Sequence, residues 1–370
     1  MCFAGRLFAQ EGSFRTALDV SFGYSGGKTD EPLISISGAP SPSFAYRADS
    51  TERRLEVTAT RFFAPVTDDG WTPYALLPYV SHPSFVSARG GLAQISRDSA
   101  GFNIGNVSTL DARLSGDRNR SVGELRGSFS LGSAELTGAI AALSSRETAA
   151  TTSTELPSGR ASFGSFGTRT AETDARLGAI LHFGPESSLG LDGTLRDAET
   201  RRSERSVFSL GGGLAQELQL KARALGFVLS GRQLLLSRRL AFDGSFSYEV
   251  TNADLDLTEP TRASLDSGRF IDRRFTAAGS YFPTRSLDVS LGASYATGSD
   301  VSGLSVQRRS ASRRAVVLFG SVRWFVRPLA SVSVAVSRTR SETISPPDSE
   351  TFQKLVETVD RVDLTGSIRF

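Results

Sequence analysis

Residues Arg361 to Phe370 read RVDLTGSIRF and alternate without a slip. Val362, Leu364, Gly366, Ile368 and Phe370 fall on one face, and Arg361, Asp363, Thr365, Ser367 and Arg369 on the other. A period of two belongs to a β-strand, whose successive side chains point to opposite faces of the sheet. The same pattern returns along the chain. Leu18, Val20, Phe22 and Tyr24 extend a row that begins at Phe14 and Thr16, opposite Arg15, Ala17, Asp19 and Ser21. Leu240, Phe242, Gly244, Phe246, Tyr248 and Val250 repeat it, as do Phe275, Ala277, Gly279 and Tyr281 before Pro283 and Leu287, Val289, Leu291, Ala293 and Tyr295 after it. Helical spacing fits none of these segments, so the chain reads as all-β.

The connections fall into two alternating classes. Short ones carry turn residues, as in Gly184-Pro185-Glu186-Ser187, Pro283-Thr284-Arg285-Ser286 and Arg327-Pro328-Leu329. Long polar ones lie near residues 25–52, 145–172, 198–217, 251–271, 298–312 and 340–358. Strands are expected near 14–24, 53–63, 71–80, 85–95, 106–115, 121–131, 134–144, 173–183, 188–197, 222–236, 240–250, 273–282, 287–297, 314–326, 330–339 and 360–370. That is about sixteen, with fourteen or eighteen left open where alternation is poor, and an even number places every short turn on one side and every long loop on the other.

A soluble sandwich would pack its apolar rows together, whereas a membrane barrel turns them to lipid and keeps a wet interior. Strict alternation of turn lengths, the absence of helices, and glycines within strands (Gly244, Gly279, Gly292, Gly366) favour the barrel. Apolar runs such as Ala315 to Phe319 are far shorter than the roughly 18 residues of a spanning helix. Strands need only about 9 to 11 residues to cross, so a mean hydropathy of −0.15 is no obstacle. Phe183, Tyr281, Phe282, Trp324, Phe325 and Phe370 at the short-turn ends are expected to form an interfacial aromatic girdle. Residues 1–12 are set apart as a remnant of a signal peptide or a periplasmic amino terminus, and 13–370 as one transmembrane barrel domain.

The terminal strand is similar to the assembly signal of Gram-negative outer-membrane barrels, with Phe370, Ile368, Leu364 and Val362 at the signal positions and Gly366 the departure from it. Arg61-Phe62-Phe63-Ala64-Pro65-Val66, followed by Thr72-Pro73-Tyr74-Ala75-Leu76-Leu77, resembles an early segment of general porins. The resemblance implies an outer-membrane location, short periplasmic turns, long extracellular loops, contact with lipid, lipopolysaccharide and the assembly machinery, and passive passage of small hydrophilic solutes, often through homotrimers.

The charge of +3, from 42 basic and 39 acidic residues, gives no field of one sign and no nucleic-acid footprint. A single cysteine, Cys2, excludes an intramolecular disulfide and a cysteine-built metal site. His82 and His182 are the only histidines and read as solvated groups. Asp68-Asp69-Gly70 reads as a turn, and the Asn252, Asp254, Asp256 series lacks the spacing of a calcium loop. Gly211-Gly212-Gly213 lacks the lysine and helix of a phosphate loop. No catalytic residues, metal or cofactor are expected. The residues expected to line a pore are the charged members of the polar rows: Arg15, Asp19, Glu124, Arg126, Glu135, Asp174, Arg176, Asp192, Arg196, Asp243, Glu249, Arg274, Asp288, Arg323, Arg361, Asp363 and Arg369. Arg201, Arg202 and Arg205, with Arg308, Arg309, Arg313 and Arg314, form basic clusters that read as solvated loops, with lipopolysaccharide phosphate as the other reading. A diffusion channel leads, ahead of an export barrel for a polymer and a non-conducting surface barrel.

Overall fold

The computed structural model describes residues 13–31, 43–104, 109–156, 160–208, 213–235, 237–258, 266–304, 307–327, 329–344 and 354–370. The segments 1–12 and 211–212 lie outside them, and with them the expectations placed there. The strands are β1 (Ser13–Glu31), β2 (Ser43–Thr67), β3 (Phe85–Ile104), β4 (Thr109–Leu131), β5 (Ala134–Leu156), β6 (Arg160–His182) and β7 (Ser187–Phe208). They continue as β8 (Gly213–Leu235), β9 (Leu240–Thr258), β10 (Asp266–Thr284), β11 (Leu287–Leu304), β12 (Gln307–Arg327), β13 (Ala330–Ile344) and β14 (Lys354–Arg369). Every neighbour in sequence is an antiparallel neighbour in space, and β1 pairs with both β2 and β14, so the sheet closes into a barrel with no free edge. Closure is what satisfies the backbone of a strand in lipid.

Fourteen strands replace the sixteen of the working tally, and the parity survives because two segments drop out. Residues 109–115 and 121–131 belong to one strand, β4, carried through by unbroken pairing with β5. Residues 71–80 are not a strand at all: they contain turns and a short helix, α1 (Leu77–Ser81), with a proline in its first turn. Pro73, Pro78 and Pro83 each lack the N–H that a ladder requires.

The apolar rows face outward and nothing covers them. Leu177 is 77% exposed and Leu291 69%, although both sit mid-wall between paired strands. A second sheet packed on this surface would bury them, so the sandwich reading fails. On β9 the outward row Leu240, Phe242, Gly244, Phe246, Tyr248, Val250 gives way to Asn252 and Asp254. On β13 Val332, Val334 and Val336 give way to Arg338 and Arg340. Each strand thus presents a lipid-height apolar stretch next to the short turns and a polar continuation beyond it. Much of what reads as long loop is this continuation. The 25 residues of β2, rising about 3.4 Å each and tilted about 40°, reach roughly 65 Å, against an apolar band about 25 Å tall.

Three aromatics turn the other way from the expected rows. A bulge between Phe14 and Thr16, where β2 holds extra residues, swings Phe14 inward against Phe62. Phe282 and Phe325 also face the interior, each almost fully buried, so the outward girdle at this end keeps Phe183, Tyr281, Trp324 and Phe370. The carboxyl terminus is clasped at the same rim: Arg15 and Thr16 donate backbone hydrogen bonds to the Phe370 carbonyl, and Phe370 donates to Thr16. Val362, Leu364 and Ile368 stand on the lipid side of this strand, each about half exposed.

Candidate functional site

Residues 68–84 join β2 to β3 at the short-turn end and lie across the barrel mouth as a plug. Two apolar clusters fasten it. Leu77 packs with Phe14, Phe62 and Val66, and Leu76 with Leu234, Ala241 and Phe282, all inward-facing wall residues. Each such leucine, withdrawn from water, contributes about 1.5–3 kcal/mol.

Polar anchors surround these clusters. Asp69 accepts hydrogen bonds from the Trp71 and Thr72 amides and from the Thr72 hydroxyl, closing the turn at Asp68-Asp69-Gly70. Arg238, in the β8–β9 turn, reaches Asp69 at 3.2 Å and Thr72 Oγ1 at 2.5 Å. Burial alone would raise the Asp69 carboxyl, but the Thr72 hydroxyl, the two amides and Arg238 together hold it down to about 2. Arg285, in the β10–β11 turn, pairs with Asp68, donates to the Thr72 carbonyl at 3.2 Å, and lies over the Tyr74 ring. Arg369 of β14 donates to the Tyr74 carbonyl at 3.0 Å and lies between Phe14 and Phe325. On the far side Tyr79 donates to Ser188, and Ser84 accepts from the Ser130 amide. The plug is therefore tied to the wall from β1 round to β14.

His82 ends α1 and stacks on His182 of β6, ring centroids 3.8 Å apart, with Glu135 of β5 at 3.3 Å from His182 Nε2. The solvated reading is corrected for His182, which is 8% exposed, while His82 is half-buried. Burial and the neighbouring His182 lower the His82 imidazole from its ordinary value, with Glu135 opposing.

Beyond the plug, the inner wall carries paired charges. Arg361 pairs with Asp363 at 2.7 Å, Asp363 with Arg54 at 2.9 Å, Arg54 with Glu56 at 3.2 Å, Glu56 with Arg89 at 2.8 Å and Arg89 with Glu124 at 3.4 Å, a chain running from β14 to β4. A second group joins Asp174 to Arg176 at 2.8 Å, and Arg196 to Glu172, Asp174 and Glu249, from β6 to β9. Two of these contacts, Arg54 to Asp363 across β1 and Arg196 to Glu249 across β8, leap over an intervening strand, which a concave inner face allows and a convex outer one does not. Arg54 and Asp363 meet across Gly23, which is paired with both, and a Cβ there would land on the Asp363 carboxylate. Thr137 reaches Asp192 across Gly178 in the same way. A cavity of about 380 Å³ lies against Asp174, Arg176, Arg196, Glu249, Asp272 and Arg274.

The remaining residues expected in the pore are placed singly. Ser367 donates to Asp19, Arg232 to Asp243 and Ser290 to Asp288. Arg126 lies 5.9 Å from the Phe85 ring. Arg323 alternates with the outward Trp324 and is paired with Asp288 in the ladder. Glu135 and Arg369 belong to the plug contacts rather than to an open lumen, and Arg15 lies in the exposed bulge at the rim. In the basic clusters, Arg201 pairs with Glu199 and Arg202 with Glu204, whereas the side chains of Arg308 and Arg309 lie outside the described residues. Sequence reasoning missed Asp68, Asp69, Thr72, Tyr74, Tyr79, Arg238 and Arg285. The signal available was the failed alternation between Trp71 and Ser84 with its three prolines.

No protein-family model matches the chain, and no curated protein matches it. Solved structures do. The toluene transporter TodX of P. putida aligns over 98% of this chain and 91% of its own at 11% identity with a TM-score of 0.51, and the TodX deltaS2 mutant, titled a monoaromatic hydrocarbon channel, at 12% identity over the same shares with a TM-score of 0.56. The Ralstonia pickettii toluene transporter TbuX covers 98% of this chain and 90% of its own at 10% identity, with a TM-score of 0.52. At these identities the likeness shows the fold, an outer-membrane type of β-barrel. Barrels of this build, with an even number of antiparallel strands, short turns at one end and an apolar exterior, belong to the Gram-negative outer membrane. Among the described residues no helix is long and apolar enough to cross a membrane.

Proposed function

We propose that the chain is a gated outer-membrane channel for small hydrophilic solutes, with residues 68–84 as the gate. The observation that supports it is the inner wall beyond the plug, where Arg54, Asp363, Glu56, Arg89 and Glu124 form a continuous row in which each side chain meets one of opposite sign. Apart from Arg15, Glu135 and Arg369, the charged residues named from the sequence are the pore lining in this reading, and rows of opposite sign filter solutes by charge and size. An interior so furnished suits polar cargo, while the plug replaces the permanently open passage of a general porin with a controlled one.

A second reading favours apolar cargo. Its support is the two apolar clusters at the plug, together with the barrel likeness to proteins titled toluene transporters. Planar-bilayer recording separates the possibilities. Wild-type barrel is expected to conduct little, and a variant with residues 70–82 replaced by a Gly-Ser linker to conduct several-fold more, with selectivity altered by Arg89→Gln. A plugless barrel that does not conduct ions overturns the channel and leaves a structural barrel. Ion conductance without uptake of small sugars or amino acids into liposomes, but with uptake of an aromatic hydrocarbon, favours the second reading.

A further inference from the structure

The two histidines of the chain, at positions 82 and 182, are brought together by the fold on different parts of it, one on the plug and one at the turn-side end of β6. One ligand atom from each, and one carboxylate oxygen of Glu135 on β5, all lie within 4.8 Å of one another. Two features indicate that this trio is built to hold something. His182 is buried, and its Nδ1 has no hydrogen-bond partner, a condition that buried polar groups rarely tolerate. His82 ends α1 with φ 44° and ψ 46°, in the left-handed region, and this turn brings its ring back onto the wall against His182. Glu135 is steadied from its other oxygen by the Ser128 hydroxyl, which leaves Oε2 for the imidazoles. Tyr79 stands edge-on to both rings and closes one side.

Two imidazoles and one carboxylate are a ligand set for borderline first-row ions, whereas magnesium and calcium call for oxygen alone. Three protein ligands leave a fourth position for water. Metal–nitrogen bonds of about 2.0–2.1 Å in a tetrahedron need ligand atoms roughly 3.4 Å apart, so the trio tightens modestly around the ion. We propose that His82, His182 and Glu135 form a binding site for a divalent transition-metal ion of the zinc class, which ties the plug to the barrel wall between β5 and β6. This revises the expectation of no metal ligands. Metal binding is measured directly and stands or falls apart from the choice of cargo.

The test uses the full chain folded in detergent micelles, carrying an affinity tag without histidine and stripped with EDTA. Zinc is titrated calorimetrically, and cobalt replaces it for visible absorption. One ion per barrel at micromolar affinity or tighter is expected, with ligand-field bands of a four-coordinate cobalt site. His82→Ala and His182→Ala should each weaken binding at least 30-fold, and Glu135→Gln about 10-fold. Heat-modifiable gel migration identifies folded variants, and Glu135→Gln, nearly the same in volume, keeps the test open if a histidine variant does not fold. Zinc bound no more tightly by the wild type than by Glu135→Gln, or cobalt without such bands, overturns the site. In bilayers zinc should reduce the opening frequency of the wild type and not of Glu135→Gln; equal responses overturn the tie between plug and wall.

Discussion

Between Val362 and Ile368 the wall obeys one rule, apolar outward and polar inward at every second residue, while Asp68 to Ser84 obeys none. The wall is stabilised by its ladder and by the contrast between lipid and water. The plug has no ladder and is held by a few points of contact: Leu76 and Leu77 in apolar niches, Arg238 and Arg285 on Asp69 and Asp68, and Arg369 on a carbonyl. In the proposed gating the plug leaves while the wall stays intact. A gate requires that difference.

The largest expected effect breaks the wall. Leu291→Arg places a charge in the lipid band and should cost about 2–4 kcal/mol, whereas Ser290→Arg, on the inner face, should cost little. Urea unfolding from liposomes measures both, and similar losses would contradict the assigned faces. The next effect is confined to the plug. Arg238→Ala combined with Arg285→Ala leaves two plug carboxylates without their guanidinium partners and should raise channel opening several-fold, with the unfolding midpoint of the wall nearly unchanged. A matching fall in wall stability would show that plug and wall are one unit.

The gap between the two regions follows from what a sequence can carry. The lipid-facing row of β9 or β14 is legible because the environment imposes it residue by residue. The inward turn of Phe14 is not, since a bulge decides its face and leaves no mark in hydropathy, whereas Phe282 and Phe325 turn inward by alternation with the outward Tyr281 and Trp324. The strand count settles on fourteen, one of the even numbers the pattern left open, for a related cause. Asn119 and Arg120 look like a turn between two short strands, yet β4 runs through them because its polar half stands clear of lipid and needs no apolar row. The plug anchors are illegible for a different cause. Asp68 and Arg285, or His82 and His182, are distant in sequence and meet only once the ring closes.

A pH series sharpens the comparison further. Asp69 has its folded value lowered to about 2, so its contribution is fully present above the ordinary carboxylate value of 3.8 and is lost as pH falls toward 2. Opening frequency should stay level from pH 7 to pH 4 and rise below pH 3. Asp69→Asn should show the raised frequency already at pH 7, and a wild-type change centred above pH 5 would assign the anchor to another group. The smallest effect is expected at Gly23→Ala, where the new methyl displaces the flexible ends of Asp363 and Arg54 rather than backbone. Folding should be unaffected, and the cation-to-anion permeability ratio should shift by less than about twofold, the ratio being charge-set.

The height of the strands has its own consequence. A wall standing well clear of the bilayer makes a chimney, so in the proposed channel a molecule arriving from outside would be enclosed before it is level with the first lipid headgroup. Selection can then begin at the polar rim, far from the closed floor, and the two ends of the same tube can evolve separately, one to choose and the other to release.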